Sequence, residues 1–557
     1  MTDPPTLRYE STSPPELLDF DVVLVGAGFT GLYQLRRLRE RGFSVVLLEA
    51  GDDLGGVWNA NRYPGARVDS HGPIYQYTDP ELSGDWDYSQ MFPNAAEMRD
   101  YFHYVDARLD LRKDCRFNTR VTACRFNSES DSWVVETQPG EELTTRFLIL
   151  ATGTTAEPYI PKFVGADIYE GILMHTAQWN EDIDLTDMNV AVIGTGASGI
   201  QVIQESAPIA KELTVFQRTP NLSLPMHQRD LSADERAEIK SSLAGVHAMV
   251  PKTFGAIDFD FDPRNAVDVT AKEREELYQQ LWNAGGLRFW MGNFSDTMFD
   301  PEANAYAYEF WKRETRIKIS DPTKIEILAP TKAPHPFGAK RPSLHQNYYE
   351  ALSQDNVEIV SVADTPIEEF THHGIRVADG VIREFDVIIL ATGFDTNTGA
   401  INAIDIRNSD GGSLREKWDN GVDAYLGAFT NGFPNLAFLY GPQSPAAFAN
   451  GATAAELQGD LLVDMLVHLR AEGLTHFEST AKADEAWTDS IEELNEQALF
   501  KLAKSWYNAS NVPGKRVQLL QYPGGMPTYR QHWEAERDAG YSLGLTLGRS
   551  IKNSYSY

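Results

Sequence analysis

The chain has 557 residues, which is more than one hydrophobic core usually organises, so two or three domains are expected. Hydrophobic residues make up 42% and charged residues 23%, a balance typical of globular proteins. The 49 basic and 80 acidic residues leave a formal net charge of -31. This charge argues against nucleic acid or an anionic membrane as the general partner. A phosphate-bearing ligand therefore needs a local cluster of basic residues.

The cysteines and the N-terminal stretch bear on the cellular compartment. Only Cys115 and Cys124 occur, which favours a buried, reduced pair in a cytosolic protein over a disulfide framework. Residues 1–21 have no basic region and no apolar run before Phe20, so they are interpreted as a loose leader and not as a signal peptide. No apolar run approaches the roughly 18 residues of a membrane-spanning helix. We predict a soluble, cytoplasmic protein with no membrane partner.

A first dinucleotide-binding fold is predicted from Asp21. An apolar strand enters Gly26-x-Gly28-x-x-Gly31, an amphipathic helix follows, and a second strand ends at Glu49. The glycines allow a tight turn and let a pyrophosphate approach the helix N-terminus. Glu49 is placed to accept hydrogen bonds from a ribose diol. Because all parts of the pattern agree, a bound adenine dinucleotide is favoured over a glycine-rich packing turn.

The next stretch, residues 55–70, reads GGVWNANRYPGARVDS. It is too polar for a core strand and too rich in Gly, Pro and Trp for an ordinary surface helix. We infer that something specific lies against it.

The dinucleotide pattern then repeats with Gly194-x-Gly196-x-x-Gly199. Its second strand ends in Gln217-Arg218-Thr219 and has no terminal acid. An acid would repel a 2'-phosphate whereas Arg218 can bind one, so the second cofactor is predicted to be NADP(H) and not NAD(H). The alternative is an ordinary surface arginine.

The two folds are predicted to be nested. Two apolar strands end in Ala-Thr-Gly, at 151–153 and 391–393, which suits a chain that crosses between two nucleotide-binding domains. The fold class is therefore α/β, with two nested Rossmann-like domains and a mostly helical insertion in the second. The predicted segments are 15–155 (first dinucleotide-binding domain, first part), 156–223 (NADP domain, first part), 224–334 (helical insertion, covering the cofactor cleft), 335–393 (NADP domain, second part) and 394–557 (first dinucleotide-binding domain, second part, with a C-terminal loop).

A first dinucleotide-binding fold with a second, nested one for NADPH resembles the arrangement of many flavin enzymes, which bind FAD in the first fold. Two motifs narrow the choice among them. The run YEGILMHTAQWN, residues 169–180, resembles the FxGxxxHxxxW fingerprint of the Baeyer-Villiger monooxygenases, with Tyr169 and Asn180 as departures. The stretch at 55–70 resembles the second signature of that family, [A/G]GxWxxxx[F/Y]P[G/M]xxxD. Its matching residues are Gly55, Gly56, Trp58, Tyr63, Pro64, Gly65 and Asp69. The resemblance covers nearly the whole chain.

The resemblance implies an NADPH- and O2-dependent flavin monooxygenase. NADPH reduces FAD, the reduced flavin takes up O2 as a C4a-peroxyflavin, and one oxygen atom is inserted next to a ketone carbonyl, giving an ester or lactone. The same flavin chemistry also oxygenates sulfides or amines, as in the sister group of flavin monooxygenases. An NADPH oxidase or reductase is a third reading, and a non-enzymatic scaffold is the least favoured one.

The resemblance also implies a fixed positive charge for the developing oxyanion. Arg341, in the run GAKRP, is assigned this catalytic role because it does not readily lose its proton. Asp69 is expected to pair with Arg341 and hold it in place, with the Tyr63-Pro64-Gly65 turn directing the carboxylate. The alternative for Asp69 is a helix cap or turn acid.

The remaining site residues follow from the same resemblance. Lys340 is expected to bind the NADP 2'-phosphate with Arg218 and Thr219, and Trp506 to contact the NADP ribose or close the pocket. His175 and Trp179 are expected to position the interdomain linker. The full set of predicted cofactor-binding residues is Gly26, Gly28, Gly31, Glu49, Gly56, Val57, Trp58, Asp69, Tyr75, Val121, Gly194, Thr195, Gly196, Ser198, Gly199, Arg218, Thr219, Lys340, Arg341 and Trp506.

Other chemistries are disfavoured. His335 and His345 have no third ligand at a useful spacing, so no metal site is predicted. No G-x-S-x-G elbow occurs, which disfavours a hydrolase. The predicted partners are a small-molecule ketone and O2, and the chain is expected to be a monomer or a homodimer.

Overall fold

The computed structural model describes residues 18–138 and 140–549. Most of the stretch interpreted as a leader, and the first three residues of the 15–155 segment, lie outside the described residues. The expected fold class is confirmed, because two sheets with parallel cores and flanking helices form the body of the molecule.

The strands are numbered along the chain. They are β1 (Phe20–Val25), β2 (Val45–Leu48), β3 (Cys115–Arg116), β4 (Arg120–Asn127), β5 (Ser132–Gln138), β6 (Glu142–Leu150), β7 (Ile172–His175), β8 (Asn189–Ile193), β9 (Glu212–Gln217), β10 (Leu224–Pro225), β11 (Leu344–His345), β12 (Val357–Ser361), β13 (Ile367–Phe370), β14 (Gly374–Val377), β15 (Ile382–Glu384), β16 (Val387–Leu390), β17 (Asp405–Arg407), β18 (Leu436–Phe438), β19 (His476–Ser479) and β20 (Leu545–Gly548).

The α-helices are numbered in the same way. They are α1 (Phe29–Glu40), α2 (Val57–Ala60), α3 (Pro80–Ser83), α4 (Ala95–Leu109), α5 (Ala197–Ser206), α6 (Ala233–Met249), α7 (Ala271–Ala284), α8 (Arg288–Met291), α9 (Pro301–Arg316), α10 (Ile325–Leu328), α11 (Tyr348–Leu352), α12 (Gly399–Asn402), α13 (Leu414–Trp418), α14 (Gly451–Ala471), α15 (Ala481–Gln497) and α16 (Gly525–Asp538). Within the described ranges, none of them combines the length and the apolar character needed to cross a bilayer.

The first sheet has the order β17-β4-β5-β6-β1-β2-β3, and β18 pairs with the end of β6. β1 runs parallel to β2 and β6, so that Val25 lies beside Leu48 and Leu150. Strands on both sides of the central one are buried, as expected for a parallel sheet covered on both faces. The carboxyl ends of β1 and β6 therefore meet at one edge. That edge carries the first glycine motif and the first Ala-Thr-Gly segment.

The second sheet has the order β12-β9-β8-β16-β7, and all its strands are parallel. β8 leads into the second glycine motif, and its neighbour β16 leads into the second Ala-Thr-Gly segment. In both sheets the first glycine of the motif faces the alanine of the neighbouring Ala-Thr-Gly segment. We call these two segments, residues 151–153 and 391–393, the crossover segments. A Cβ on Gly26 would lie 2.5 Å from the Ala151 carbonyl oxygen, and one on Gly194 would lie 2.4 Å from that of Ala391. The crossover segments therefore pack directly against the two glycine turns.

Between the halves of the second sheet, residues 233–328 form helices α6 to α10 and no strand. The short strands β10 and β11 lie on either side of this helical stretch and pair in parallel. The helical stretch therefore leaves the second domain and returns to it at one place. Its helices α6 and α7 begin with capping boxes at Ser232 and Thr270, in which side chain and backbone satisfy each other.

The two cysteines are free thiols. Cys124 is buried in the first sheet, but Cys115 is only half-buried, so the expected buried pair is wrong for Cys115. The reason is its position in the two-residue strand β3 at the sheet edge. Burial raises the pKa of the Cys115 thiol to about 12, so it is held as an unreactive thiol.

Helix α14 packs along α1 and carries a buried carboxyl group, Glu456. Its Oε1 accepts a hydrogen bond of 2.8 Å from the Thr78 backbone N–H. Burial raises the pKa of Glu456 to about 7, and the nearby charges of Asp460 and Asp79 act in the same direction. The carboxyl group is therefore neutral in the folded protein at mildly acid pH.

This pKa predicts a pH-dependent stability. Because the folded pKa lies above the unfolded value, the contribution of Glu456 is fully present below about pH 4.5 and is lost as the pH rises towards 7. Glu456→Gln is expected to raise the free energy of unfolding by about 2–3 kcal/mol above pH 7 and by little near pH 4.5. Thermal unfolding of both proteins between pH 5 and 8.5 measures the difference. A difference that does not change with pH would contradict the prediction.

Candidate active site

A cavity of about 1690 Å³ runs past both glycine motifs and is lined by residues from the whole length of the chain. We call it the interdomain cavity. Most of the predicted site residues line it: Gly26, Gly28, Glu49, Gly56, Val57, Trp58, Asp69, Tyr75, Val121, Gly194, Thr195, Gly196, Ser198, Arg218, Thr219, Lys340, Arg341 and Trp506. Gly31, Gly199, His175 and Trp179 do not line it.

The third glycine of each motif packs behind the turn and does not line the cavity. A Cβ on Gly31 would lie 1.8 Å from the Gly26 carbonyl oxygen, and one on Gly199 would lie 2.3 Å from that of Gly194. Only glycine lets the helix approach the turn so closely. These two residues therefore shape the phosphate-binding turn from behind.

The first motif fits an FAD. A Cβ on Gly28 would meet nothing closer than Gly56 Cα at 3.7 Å, which leaves this turn open to the cavity. Glu49 is oriented by hydrogen bonds of 2.7 Å from the backbone N–H groups of Ala27 and Gly51. Trp58 lines the cavity and packs edge-on against Tyr75, with 5.8 Å between ring centroids. The open turn and the fixed Glu49 carboxylate leave a place for the pyrophosphate and the ribose of a dinucleotide.

The second motif fits a phosphorylated nicotinamide cofactor. A Cβ on Gly196 would meet nothing within 4 Å, so this turn is also open. Burial and the neighbouring charge of Arg218 lower the pKa of Lys340 to about 8. Neither Lys340 nor Arg218 has a hydrogen bond or an ion pair among residues 18–138 and 140–549. An anion between these two cations would relieve their repulsion, as a 2'-phosphate does.

Arg341 and Asp69 form a bidentate ion pair on the cavity wall. The guanidinium donates from Nε to Asp69 Oδ2 at 2.7 Å and from Nη2 to Oδ1 at 3.0 Å, and Nη1 donates to the Ala447 carbonyl at 2.8 Å. Burial alone would lower the pKa of Arg341, but the Asp69 carboxylate outweighs burial and raises it. The positive charge is therefore permanent and its direction is fixed by three hydrogen bonds.

The stretch at 55–70 also contacts the second domain, which the sequence interpretation did not anticipate. The Tyr63 hydroxyl donates to Gln201 Oε1 at 2.8 Å, and Gln201 Nε2 donates to the Arg67 carbonyl at 3.1 Å. Gly65, with φ +82°, packs so closely on α5 that a Cβ would lie 2.7 Å from the Gln201 carbonyl. The Tyr-Pro-Gly turn thus joins the two domains as well as leading the chain to Asp69.

Comparison with known proteins places this site in a family. Residues 20–286 match the family described as pyridine nucleotide-disulphide oxidoreductase. The chain is 48% identical to cyclopentanone 1,2-monooxygenase of Comamonas sp. over 523 residues, which cover 94% of this chain and 95% of that protein. It is 35% identical over 527 residues to a Baeyer-Villiger monooxygenase of Pseudooceanicola batsensis, covering 94% and 96%.

The chain belongs to the Baeyer-Villiger monooxygenases. Its fold agrees with that of OTEMO crystallised with FAD and NADP, with a TM-score of 0.92 and 35% identity over 96% of this chain and 100% of the other. As a member of this family it is an FAD- and NADPH-dependent monooxygenase of ketones. The prediction from the two sequence motifs is confirmed.

Several residues of this Baeyer-Villiger site carry no signal in the sequence. Trp290, from the short helix α8, places its ring 5.7 Å from the Arg341 guanidinium carbon. Tyr440, with φ +57°, lines the cavity, and its hydroxyl donates to the Ala446 carbonyl at 2.6 Å. Ala447 acts through its backbone carbonyl, which any residue could supply. Only their position in the fold identifies them.

The fingerprint residues His175 and Trp179 lie at the end of β7, the edge strand of the second sheet, and just after it. His175 ends β7; its Nε2 donates to the Gly393 carbonyl at 3.1 Å, while Nδ1 accepts from the Ala177 N–H at 3.1 Å. Burial lowers the pKa of His175, so it is neutral and both ring nitrogens are engaged. Trp179 is half-buried against the main core. Neither residue lines the cavity.

Trp506 lies in the C-terminal loop of this monooxygenase. Its ring lines the cavity and packs edge-on against Tyr507, with 4.6 Å between ring centroids. Its carbonyl accepts from the Thr396 hydroxyl at 3.2 Å, which ties the loop to the second crossover. Within the described ranges, no group of three or more His, Cys, Asp or Glu side chains is arranged to hold a metal ion.

Proposed function

We propose that Arg341 and Asp69 form the catalytic pair and that the predicted cofactor residues that line the cavity bind FAD in the first domain and NADP(H) in the second. The observation that supports this most is the bidentate Arg341–Asp69 contact on the wall of a cavity shared by both glycine motifs. When bound, FAD supplies the activation of O2 and NADPH supplies the hydride.

The residues of the chain supply charge, orientation and exclusion of water. The Arg341 guanidinium presents a permanent positive charge where negative charge develops on oxygen during attack on the ketone. Asp69 holds the guanidinium in one orientation, so that little reorganisation is needed during the reaction. The Arg341 side chain is only 19% exposed, and such burial makes its charge act more strongly than it would in water.

We propose a small cyclic ketone as the substrate class. A relative that shares 48% of its residues over nearly its whole length is named for cyclopentanone. Around the Ala447 carbonyl the cavity is lined by small residues, Ala446, Ala449 and Gly451, which leave room beside Arg341. We further propose a cytoplasmic monomer or homodimer, since the free thiols of Cys115 and Cys124 suit a reducing compartment.

Product analysis tests the substrate proposal. The FAD-loaded protein is mixed with NADPH, O2 and either cyclopentanone or methyl phenyl sulfide, and lactone, sulfoxide and hydrogen peroxide are quantified. One lactone formed per NADPH is the expected result. Sulfoxide without lactone would favour a heteroatom oxygenase, and peroxide equal to NADPH with no oxygenated product would favour an oxidase.

A further inference from the structure

A buried glutamine in the C-terminal part of the chain contacts the backbone that holds Arg341. Gln521 is fully buried. Its Oε1 accepts from the Ala447 N–H at 2.8 Å, and its Nε2 donates to Asn397 Oδ1 at 2.9 Å. Because the Ala447 N–H can only donate, it determines which end of the Gln521 amide faces it, and Nε2 must then meet Asn397.

Ala447 carries this contact to the arginine. Its N–H is held by Gln521 and its carbonyl accepts the third hydrogen bond of the Arg341 guanidinium. Asp69 determines the other two bonds of that guanidinium. A shift of the Ala447 backbone therefore tilts the guanidinium about its contact with Asp69.

Asn397 lies where the two crossover segments meet. Its backbone N–H donates to the Thr154 carbonyl at 3.0 Å, just after the first Ala-Thr-Gly, and Asn397 itself follows the second. Its φ of +64° is a conformation that asparagine tolerates better than most residues. Its Nδ2 is buried without a partner among the described residues. Such an unpaired group is destabilising, so general packing does not account for this arrangement.

We propose that Gln521 and Asn397 are positioning residues that hold Arg341 through the backbone of Ala447. We call the chain of contacts from Asn397 through Gln521 and the Ala447 backbone to Arg341 the relay. Through it, the placement of the guanidinium depends on how the two crossover segments meet. This inference rests on the role proposed for Arg341. It adds a connection from that residue to the junction of the two nucleotide-binding folds.

A matched pair of substitutions tests the relay. Gln518 lies three residues earlier and is also buried. Among the described residues, its side chain bonds only to the backbone of Val422: Oε1 accepts from the N–H at 2.9 Å and Nε2 donates to the carbonyl at 2.7 Å. Gln521→Met and Gln518→Met therefore each remove one side-chain amide from a buried position. With the FAD-loaded, full-length protein, NADPH and cyclopentanone, Gln521→Met is expected to lower kcat and the lactone formed per NADPH about tenfold or more, with KM for the ketone little changed. Gln518→Met is expected to keep the parental yield.

A second measurement does not depend on activity. Asn397→Gly introduces a residue that adopts the positive φ of this position without strain, but it removes the oxygen that accepts from Gln521 Nε2. Asn397→Gly and Gln521→Met each break the same hydrogen bond between these side chains. The shift in thermal midpoint of the double variant is therefore expected to differ from the sum of the two single shifts. Additive midpoints would overturn the connection between the two side chains.

The outcomes separate the relay from the role of Arg341. Equal lactone yields in Gln521→Met and Gln518→Met, together with loss of yield in Arg341→Ala, would overturn the relay alone. An Arg341→Ala protein with the parental yield would instead overturn the role proposed for Arg341, and the relay with it.

Discussion

Arg341→Ala is expected to lower the rate of ketone oxygenation by about 10²–10³-fold, as removal of one oxyanion-stabilising donor does in other enzymes. The guanidinium is held by three hydrogen bonds on the cavity wall, so the substitution removes a charge whose direction is fixed. Product formation with cyclopentanone and NADPH measures the effect, and peroxide release shows where the reducing equivalents go.

Three further variants make this result specific. Arg341→Lys keeps a positive charge but loses the planar fork, so an intermediate rate is expected. Asp69→Asn removes the negative charge that orients the guanidinium but leaves the positive charge of Arg341 in place. The reaction is therefore expected to be slower but not abolished. Arg288→Ala breaks an ion pair of 3.1 Å with Asp258 away from the cavity and is expected to leave the rate near the parental value. A rate in Arg341→Ala equal to that in Arg288→Ala would contradict the assignment.

Lys340→Ala is expected to raise KM for NADPH by about 10- to 100-fold while changing KM for NADH little, because a charge-assisted bond to the 2'-phosphate is lost. Arg218→Ala should act in the same direction but more weakly, since Arg218 is exposed to solvent and Lys340 is not. The ratio of kcat/KM for the two nucleotides measures the preference. Lys332→Ala, an exposed lysine that does not line the cavity, is the matched control.

The pKa of Lys340 adds a pH dependence to this prediction. Burial and the charge of Arg218 lower this pKa to about 8, so the free enzyme loses the Lys340 charge as the pH rises through 8. KM for NADPH is therefore expected to increase above pH 8 in the parental protein and to be flatter with pH in Lys340→Ala. The same pH profile in both proteins would contradict a phosphate contact by Lys340.

The sequence was informative wherever a function depends on a short local pattern. The glycine motifs, the terminal Glu49 and the absence of an acid beside Arg218 define two nucleotide-binding turns from strand-turn-helix geometry alone. The resemblance then pointed to Arg341 and Asp69. The sequence did not show that the two glycines have different positions. Gly26 lies in the turn beside the Ala151 carbonyl, whereas Gly31 packs behind the turn.

By itself, the sequence determined the α/β class, the two cofactors and the type of reaction, because these rest on patterns within about thirty residues. The tertiary structure alone decided which distant residues meet. Arg341 and Asp69 are 272 residues apart, Gln521 and Asn397 are 124 apart, and Ala447 contributes only backbone atoms. No local pattern encodes such contacts, because they depend on how the two sheets and their crossover segments pack together.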